Sequence, residues 1–458
     1  MPQEGKDSKL VTDMNTACIK LLENEFLAIV STVAAEMGVN VYFVGGGLRD
    51  MLTGREIKDL DFALECRPGE LAEKFARRIG GTFFWLNEQR QQARVVKRNG
   101  SNVLTFDFTP LRGCDIARDL SLRDFTINAF AVSLSENKGY IIDPFNGLHD
   151  LDQRLLKACS EDSFENDPLR LLRAVRFAAV LGFSIEPGTW RTICCKATLL
   201  RRVAAERIRS EFFQILDSRD AAAALGKLHD SALLSEIIPF SFTSNKGSAP
   251  SIAVPVSNLI EVEEIMGEPA VYFPGFGEDI HDYLGREVES GVTLASLVKL
   301  AVILGAFENA ATLASATSGK LRFGSNSRRI LEILCGKIML MSVPAAWKPT
   351  ERAIFRYFRD SEPAGLGALI IALARKYLKA ELCAEMAGYY FTEYPNIGDE
   401  AFLSGEEIMT LLRTGPDRKV GMAMRQLREA ESAGLVNNRA EALAYLGKNL
   451  LTKEETVI

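Results

Sequence analysis

The sequence is poor in the residues that build metal and disulfide sites. Only three histidines and eight cysteines occur in 458 residues. The histidines His149, His229 and His281 lie in separate segments, and Cys194–Cys195 is the only close pair of cysteines. This spacing fits neither a zinc site nor a disulfide framework, so we expect free thiols in a reducing compartment.

Long apolar runs are also missing. The longest stretches, near 297–304 and 369–374, are far shorter than the roughly 18 residues that a membrane-spanning helix needs. The first ten residues, MPQEGKDSKL, lack the apolar region of a secretory signal. The sequence therefore predicts a cytoplasmic protein without a membrane partner.

Positive charge is scarce for a protein that would bind nucleic acid. The 54 basic and 60 acidic residues give a formal net charge of −6, whereas an excess of basic residues is the usual sign of such binding. Arg170, Arg173 and Arg176 recur at helical spacing and form one candidate for a local basic surface. The alternative is that they are solvated residues with acidic partners.

Hydrophobic periodicity divides the chain into a mixed first part and a helical remainder. Period-two runs predict strands at 41–44, 60–64, 94–98, 103–108 and 130–134. Helical periodicity predicts helices at 15–37, 168–181, 204–217, 219–227, 293–307, 325–341, 365–387, 404–413 and 418–433. We therefore expect a small mixed sheet with flanking helices, followed by a long helical part.

The segment Val41–Leu64 carries the strongest chemical signal. A predicted strand is followed by three glycines, then by Arg49–Asp50 and a short helix, and these glycines are Gly45, Gly46 and Gly47. Consecutive glycines ahead of a helix let backbone N–H groups approach phosphate oxygens. The alternative is an ordinary tight turn.

Two carboxylates on the second strand of this segment complete the signal. Asp59 and Asp61 are one residue apart, and side chains at i and i+2 of a strand point the same way. They can therefore hold a divalent cation beside the phosphate cradle, an arrangement typical of nucleotidyl or phosphoryl transfer. Asp107, on the polar face of the strand at 103–108, is the candidate for a third carboxylate; the alternative is that it is solvated.

Three further motifs lie downstream: RDFTINA at 123–129, DPFNGLHDL at 143–151 and NDPLRLLRAVRFA at 166–178. In this order and spacing they resemble the class II tRNA nucleotidyltransferases and bacterial poly(A) polymerases, over about residues 25–220. The resemblance implies an α+β fold with a polymerase-β-like nucleotidyltransferase head and an all-helical neck, body and tail. The corresponding boundaries are 1–145, 146–218, 219–345 and 346–458.

The resemblance also implies an RNA nucleotidyltransferase that releases pyrophosphate. Asp59 and Asp61 would hold Mg²⁺ ions near the 3′-hydroxyl of the RNA and the triphosphate, with Asp107 as the third catalytic carboxylate. The partners would be the tRNA 3′ end and CTP, with ATP as an open alternative; no DNA is expected. Gly45, Gly46, Gly47, Arg49 and Asp50 would bind the nucleotide.

The remaining nucleotide contacts are carried over motif by motif. Arg123, Asp124 and Asn128 would contact the ribose, and Leu122 stands where the family has a first arginine. A helix cap is the alternative role of Asp124.

Base selection would fall to Asp167 and Arg170. Their acceptor and donor groups match the edge of cytosine or adenine and reject uracil and guanine. Asn166 replaces the family's glutamate, and Arg173 and Arg176 are further nucleotide-binding candidates.

The number and kind of nucleotides added are predicted from a short loop, and the role of the helical body from the missing phosphohydrolase residues. Only Leu111–Arg118 separates Pro110 from Asp119, which resembles the shortened loop of enzymes that add two cytidines and stop. Gly305 and Ala306 stand where some relatives carry a metal phosphohydrolase pair, so we expect a structural or RNA-binding body. CC addition is therefore the first interpretation; full CCA addition, then poly(A) or A addition, and a non-catalytic RNA-binding protein are the alternatives.

Overall fold

A computed structural model describes residues 24–100, 102–134, 141–240, 252–340, 349–394, 402–432 and 434–450. The chain divides into two compact units, Met1–Val203 and Ala204–Ile458.

The first unit is built on one seven-stranded sheet. Its strands are β1 (Val41–Val44), β2 (Asp59–Leu64), β3 (Thr82–Asn87), β4 (Gln92–Asn99), β5 (Asn102–Pro110), β6 (Ala131–Ser133) and β7 (Ile141–Ile142). They lie in the order β3-β4-β5-β2-β1-β6-β7. The β2–β5 pair is parallel and the other pairs are antiparallel. The predicted mixed sheet is confirmed, with β3 and β7 in addition.

Short helices surround this sheet and continue the chain beyond it. They are α1 (Glu25–Met37), α2 (Gly46–Leu52), α3 (Pro68–Ile79), α4 (Ile116–Ser121), α5 (Gly147–Asp152), α6 (Ser163–Asn166), α7 (Arg170–Leu181) and α8 (Pro187–Lys196). Two 3₁₀ turns span Thr126–Asn128 and Ala197–Arg202, and β8 (Leu155–Leu156) pairs with β9 (Ser184–Ile185). Asn24 caps α1 by accepting the N–H groups of Phe26 and Leu27.

The two faces of the sheet differ because successive strand side chains point to opposite sides. One face packs under α1 and α3 around fully buried aromatic rings, including Phe62 stacked on Phe108 with ring centroids 4.9 Å apart. The other face carries the acidic residues of β2 and β5. Beside them lies a small buried apolar group that includes Val44, Ala63 and Leu120. The site residues therefore stand on a rigid, apolar-backed platform.

The second unit is predominantly helical in its described residues. Its helices are α9 (Ala205–Leu216), α10 (Ala221–Asp230), α11 (Leu233–Ile237), α12 (Ala253–Gly267), α13 (Pro269–Tyr272), α14 (Gly277–Gly285), α15 (Leu294–Leu304), α16 (Ala310–Lys320), α17 (Ser325–Leu340), α18 (Glu351–Ser361), α19 (Gly365–Ala374), α20 (Ala380–Thr392), α21 (Gly405–Leu412), α22 (Arg418–Ser432) and α23 (Arg439–Leu450). A small ladder joins β10 (Glu287–Glu289) to β11 (Val292–Thr293).

One predicted helix is in fact two. The apolar run at 365–387 is broken between α19 and α20, where Lys376 adopts a left-handed conformation with φ of 57°. The predicted helix at 15–37 begins at Glu25 within the described residues, and its first part lies outside them. Hydrophobic periodicity located both helices but did not predict the turn between them, because the sequences on both sides of the turn are apolar.

Two expectations from composition can be compared with the described residues. No helix among them is both long and apolar enough to cross a membrane. Cys66, Cys114, Cys159, Cys194, Cys195, Cys335 and Cys383 are free thiols.

Candidate active site

The turn between β1 and α2 brings the backbone against the acidic strand β2. Gly45 has φ of +82°, and a β-carbon there would stand 2.9 Å from Asp61 Oδ2 and 3.2 Å from Arg123 Nη1. A β-carbon on Gly47 would lie 2.5 Å from the carbonyl oxygen of Asp59. Gly46 and Gly47 are the first residues of α2 rather than residues ahead of it. The glycines thus permit a backbone approach that no larger residue allows.

Asp59 and Asp61 lie at the start of β2, as predicted from their spacing. Asp61 pairs with Val44 of β1 on one side and with Asp107 of β5 on the other. Burial, and then the charge of Asp107, raises the pKa of Asp61 to about 6, although Arg123 opposes this shift. Carboxylates are therefore crowded around the partly buried carboxyl of Asp61, and a bound cation would relieve their repulsion.

Asp107, the predicted third carboxylate, is held by an arginine. Arg94 of β4 donates from Nε to Oδ1 at 2.6 Å and from Nη2 to Oδ2 at 2.7 Å. The antiparallel register of β4 and β5 sets these residues opposite each other. Asp107 thus lies beside Asp61 as expected, but with its charge balanced by Arg94.

The donor set fits a metal that needs few protein ligands. Among the described residues no group of three or more His, Cys, Asp or Glu side chains could hold a metal ion. Mg²⁺ is commonly bound through one or two carboxylates, with water and substrate phosphates filling its other positions. Asp59 and the crowded carboxyl of Asp61 meet that requirement.

A continuous chain of polar contacts links α2 to α7 through the RDFTINA motif. Arg49 is buried and binds Asp50 at 2.8 Å, while its Nη1 donates to Asn128 Oδ1 at 2.7 Å. Asn128 Nδ2 donates to Asp124 Oδ1 at 3.1 Å, and Arg173 donates to Asp124 Oδ2 at 2.7 Å. Because each member orients the next, these residues form one preorganised wall.

Asp124 remains ionised inside this wall. Burial alone would raise its pKa, but the charge of Arg173 and the hydrogen bond from Asn128 hold the pKa of Asp124 below its usual range. Its backbone neighbour Phe125 also donates an N–H to Oδ1 at 2.8 Å. The carboxylate acts mainly as an organiser of Asn128 and Arg173.

Asp167 and Arg170 lie at the start of α7 and bond to the backbone in this structure. Helix α7 begins at Arg170, and Asp167 Oδ1 accepts the N–H of Leu169 at 3.3 Å. Arg170 donates to the carbonyl oxygens of Leu122 at 2.7 Å and Arg123 at 3.2 Å. Neither Asp167 nor Arg170 lines the cleft. In this conformation Arg170 fastens α7 to the RDFTINA motif.

Phe177 is a cleft residue that the sequence analysis missed. The guanidinium carbon of Arg176 lies 4.2 Å from its ring centroid, and those of Arg49 and Arg173 lie 5.2 and 5.3 Å away. An aromatic face under several cations is a stacking surface. Its position could have been predicted, because Phe177 follows Arg173 by four residues and therefore lies on the same face of the helix.

These parts enclose a cleft of about 420 Å³. It is lined by Gly45, Gly46, Gly47, Arg49, Asp50, Glu56, Ile57, Lys58, Asp59, Asp61, Arg123, Asp124, Asn128, Arg173 and Phe177. The site brings most of the predicted residues together; Asp107 adjoins it, and Arg176 stacks beneath Phe177. It has the size of a small-molecule site.

Comparison with known proteins places this cleft in a family. The Poly A polymerase head domain matches residues 41–157, and the domain described as "Probable RNA and SrmB- binding site of polymerase A" matches residues 182–242. The CC-adding tRNA nucleotidyltransferase of Geobacter sulfurreducens is 38% identical over 93% of this chain and 96% of its own length. The chain belongs to the tRNA nucleotidyltransferase family.

A second curated relative is also similar to this chain, and a solved structure shares its fold. The CC-adding tRNA nucleotidyltransferase of Synechocystis is 29% identical over 89% of this chain and 93% of its own length. The solved structure of the Thermotoga maritima CCA-adding enzyme complexed with tRNA has a TM-score of 0.62 at 22% identity, covering 94% of this chain and 96% of that one. The family resemblance, the fold class and the enzyme class predicted from the motifs are confirmed: the protein is an RNA nucleotidyltransferase, of a family that generally uses divalent metal ions.

Proposed function

We propose that this protein adds two cytidines to the 3′ end of tRNA, using CTP and releasing pyrophosphate, and so contributes to synthesis or repair of the CCA end. The observation that carries the subtype is the connection after β5. Strand β5 ends at Pro110 and α4 begins at Ile116, so only residues 111–115 connect them. The two CC-adding relatives align over nearly the whole chain, which supports the same subtype.

The described residues supply binding and orientation for this reaction. Asp59 and Asp61 would hold Mg²⁺, which supplies activation of the RNA 3′-hydroxyl and stabilisation of the triphosphate when bound. Gly45 and Gly47 let the triphosphate approach the backbone, and Arg123 Nη1 faces the same region. Asn128, held by Arg49 and Asp124, presents a fixed amide to the ribose.

We propose that Asp167 and Arg170 select the base. Their acceptor and donor groups fit cytosine, and they lie at the start of α7, whose Arg173 lines the cleft. The role requires Arg170 to exchange its bonds to the carbonyl groups of Leu122 and Arg123 for bonds to a base. Arg176 would help by fixing the ring of Phe177.

We also propose that the tail, residues 346–458, binds tRNA. Arg352, Arg356 and Arg359 on α18 converge on one carboxylate, Glu429 of α22. Arg359 also pairs with Asp360, so three guanidinium groups around two acids leave one excess positive charge, suited to a phosphate contact despite the acidic composition. Residues 1–145, 146–218 and 219–345 would be the head, neck and body of a cytoplasmic enzyme.

The decisive experiment uses tRNA that ends at the discriminator base. The purified protein is incubated with Mg²⁺ and each labelled nucleoside triphosphate, singly and together, and products are sized at single-nucleotide resolution. Addition of two cytidines and a stop in excess ATP is the expected result. Terminal A addition would favour a CCA-adding enzyme, long A tracts a poly(A) polymerase, and no product a non-catalytic RNA-binding protein.

The short connection gives a second test of the subtype. Replacing residues 111–115 with a longer polar loop from a CCA-adding relative should restore some addition of the terminal A. The reason is that Asp167 and Arg170 can pair with adenine as well as with cytosine. If the grafted protein folds, adds two cytidines and still adds no adenosine, the length of this connection does not determine which base is added.

A further inference from the structure

One buried carboxylate joins the short connection to the cleft. Asp119 of α4 is only 2% exposed. The backbone N–H and Nε of Arg112 both donate to its Oδ1 at 3.0 Å. Arg123 donates to the other oxygen, Oδ2, from Nε at 3.1 Å and from Nη2 at 3.0 Å. One carboxylate oxygen therefore accepts hydrogen bonds from the connection, and the other accepts them from an arginine that lines the cleft.

This arrangement fixes the direction of the Arg123 guanidinium. A guanidinium group is planar, so holding Nε and Nη2 on a carboxylate also sets where Nη1 lies. Nη1 faces Gly45 and donates no hydrogen bond to any residue that the structure describes. Arg123 lines the cleft that contains Asp59 and Asp61. The free donor is thus aimed at the place where a nucleotide's anionic groups would lie.

The connection itself has little freedom while Asp119 holds it. The N–H of Leu111 donates to the carbonyl oxygen of Leu64 at 2.8 Å. At the other end Asp115 caps α4 by accepting the N–H of Arg118 at 2.8 Å. Between these anchors, the Arg112 side chain is half exposed, and its bonds to Asp119 are the described link from the middle of the connection to the core.

The charge needed for this link is maintained inside the protein. Burial alone would raise the pKa of Asp119, but the charge of Arg123 and the bonds from Arg112 lower it below the usual range. Both arginines are needed because each neutralises part of the buried charge. Loss of the Arg112 side chain would leave Oδ1 with only the backbone N–H of Arg112, so Asp119 would hold the Arg123 guanidinium less firmly.

We propose that Asp119 is a positioning residue through which Arg112 of the connection orients Arg123 toward the incoming nucleotide. The inference rests on the proposed function, because it takes the cleft to be the nucleotide site. It assigns the connection a mechanical role in nucleotide binding, beyond its length.

The test compares Arg112 of the connection with Arg118 of α4. Arg112→Ala removes the side-chain link to Asp119, whereas Arg118→Ala removes an equal charge from an exposed side chain for which no hydrogen bond or ion pair to Asp119 is described. Arg112→Ala should raise KM for CTP about tenfold, the effect of a lost charge-assisted hydrogen bond, with kcat within about twofold. Arg118→Ala should match the wild type, and Arg112→Lys should recover part of the affinity because its ammonium can still donate to Oδ1.

Each outcome decides the matter. Wild-type kinetics in Arg112→Ala, an equal loss in Arg118→Ala, or an equal rise in KM for tRNA would overturn the proposal in favour of a structural or RNA-contacting arginine. Asp119→Asn, if it folds, should lose more CTP affinity than Arg112→Ala; if it does not fold, the Arg112 variants decide alone. A wild type that adds adenosine instead of cytidine would refute the proposed subtype, while a KM effect for ATP would still support the positioning role.

Discussion

Gly45 and Asp61 approach so closely that a β-carbon at position 45 would stand 2.9 Å from Asp61 Oδ2. This contact joins the glycine turn to the carboxylate that lies opposite Val44 in the sheet. The same hypothetical β-carbon would lie 3.2 Å from Arg123 Nη1. The turn therefore borders both the acidic and the basic groups of the cleft, and a methyl group there would push them apart.

Gly45→Ala should reduce nucleotide transfer by about a hundredfold or more, because displacement of reacting groups by about 1 Å has effects of this size. The matched control is Gly54→Ala. Gly54 also has a left-handed backbone, with φ of +70°, but nothing lies within 4 Å of the place that its new methyl group would take. Both variants should lose roughly 1 kcal/mol of stability from backbone strain. Equal activity in the two variants would show that the close approach is not needed.

Asp61→Asn should abolish transfer and yet stabilise the metal-free protein. The folded pKa of Asp61, about 6, lies above its ordinary 3.8, so folding favours the protonated form. That contribution is present at low pH and is lost as the pH rises through about 6. At pH 7.5 without divalent ions the variant should therefore have a free energy of unfolding about 3 kcal/mol higher than the wild type, and a higher melting temperature.

The control for this variant is Asp59→Asn, whose side chain is exposed. It should lose transfer without the gain in stability, because no buried charge is removed. Transfer in Mg²⁺ above a few per cent of the wild-type rate in either variant would place the catalytic carboxylates elsewhere.

Glu429 should make the tail sensitive to acid. Burial alone would raise its pKa, but hydrogen bonds from Arg356, Arg352 and Arg359 lower it to about 2, from the ordinary 4.5. The folded form therefore favours the ionised group, and its contribution is present above about pH 4.5 and lost as the pH falls toward 2. Glu429→Gln should cost about 3 kcal/mol in the free energy of unfolding at pH 7 and little at pH 2.

Asp360→Asn is the comparison for Glu429→Gln. Asp360 pairs with Arg359 but is half exposed, so its loss should cost less than about 1 kcal/mol. Denaturant titrations at pH 7, 4 and 2.5 measure both. A cost for Glu429→Gln that does not change with pH would assign its effect to packing rather than charge.

Asp167→Ala should relax discrimination against UTP more than it weakens tRNA binding, because the lost acceptor would serve the base alone. The control, Asp162→Ala, removes an exposed carboxylate nearby that makes no side-chain capping bond. Competition between labelled UTP and CTP measures the change. If Asp167→Ala still excludes UTP, Asp167 does not select the base, and its role is limited to accepting the N–H of Leu169.

Much of this site could be predicted from local spacing. Asp59 and Asp61 share a face because strand geometry requires it of residues i and i+2. The glycines at 45 and 47 indicated a close backbone approach, and the structure shows what is approached. The helical part followed from periodicity, since an apolar stripe every three to four residues can be buried only by helix packing.

The partners of the charged side chains could not be predicted in this way. Arg94 meets Asp107 only through the register of β4 and β5, and Arg170 reaches the carbonyl group of Leu122 across 48 positions of sequence. The Arg123–Asp119 pair is an exception, because its members are only four residues apart, with Asp119 in α4 and Arg123 just beyond its end. The third member, Arg112, depends on how the connection folds back.

The sequence by itself determined the chemistry available to this protein: two carboxylates on one strand, a glycine turn beside them and the motifs of a nucleotidyltransferase. These features depend on neighbours a few positions apart, whose geometry the backbone dictates. The tertiary structure decided which charges pair with one another. It committed Arg170 to carbonyl groups and Arg94 to Asp107, and left one donor of Arg123 facing the cleft. Such choices depend on strand register and on packing between distant segments, and local spacing specifies neither.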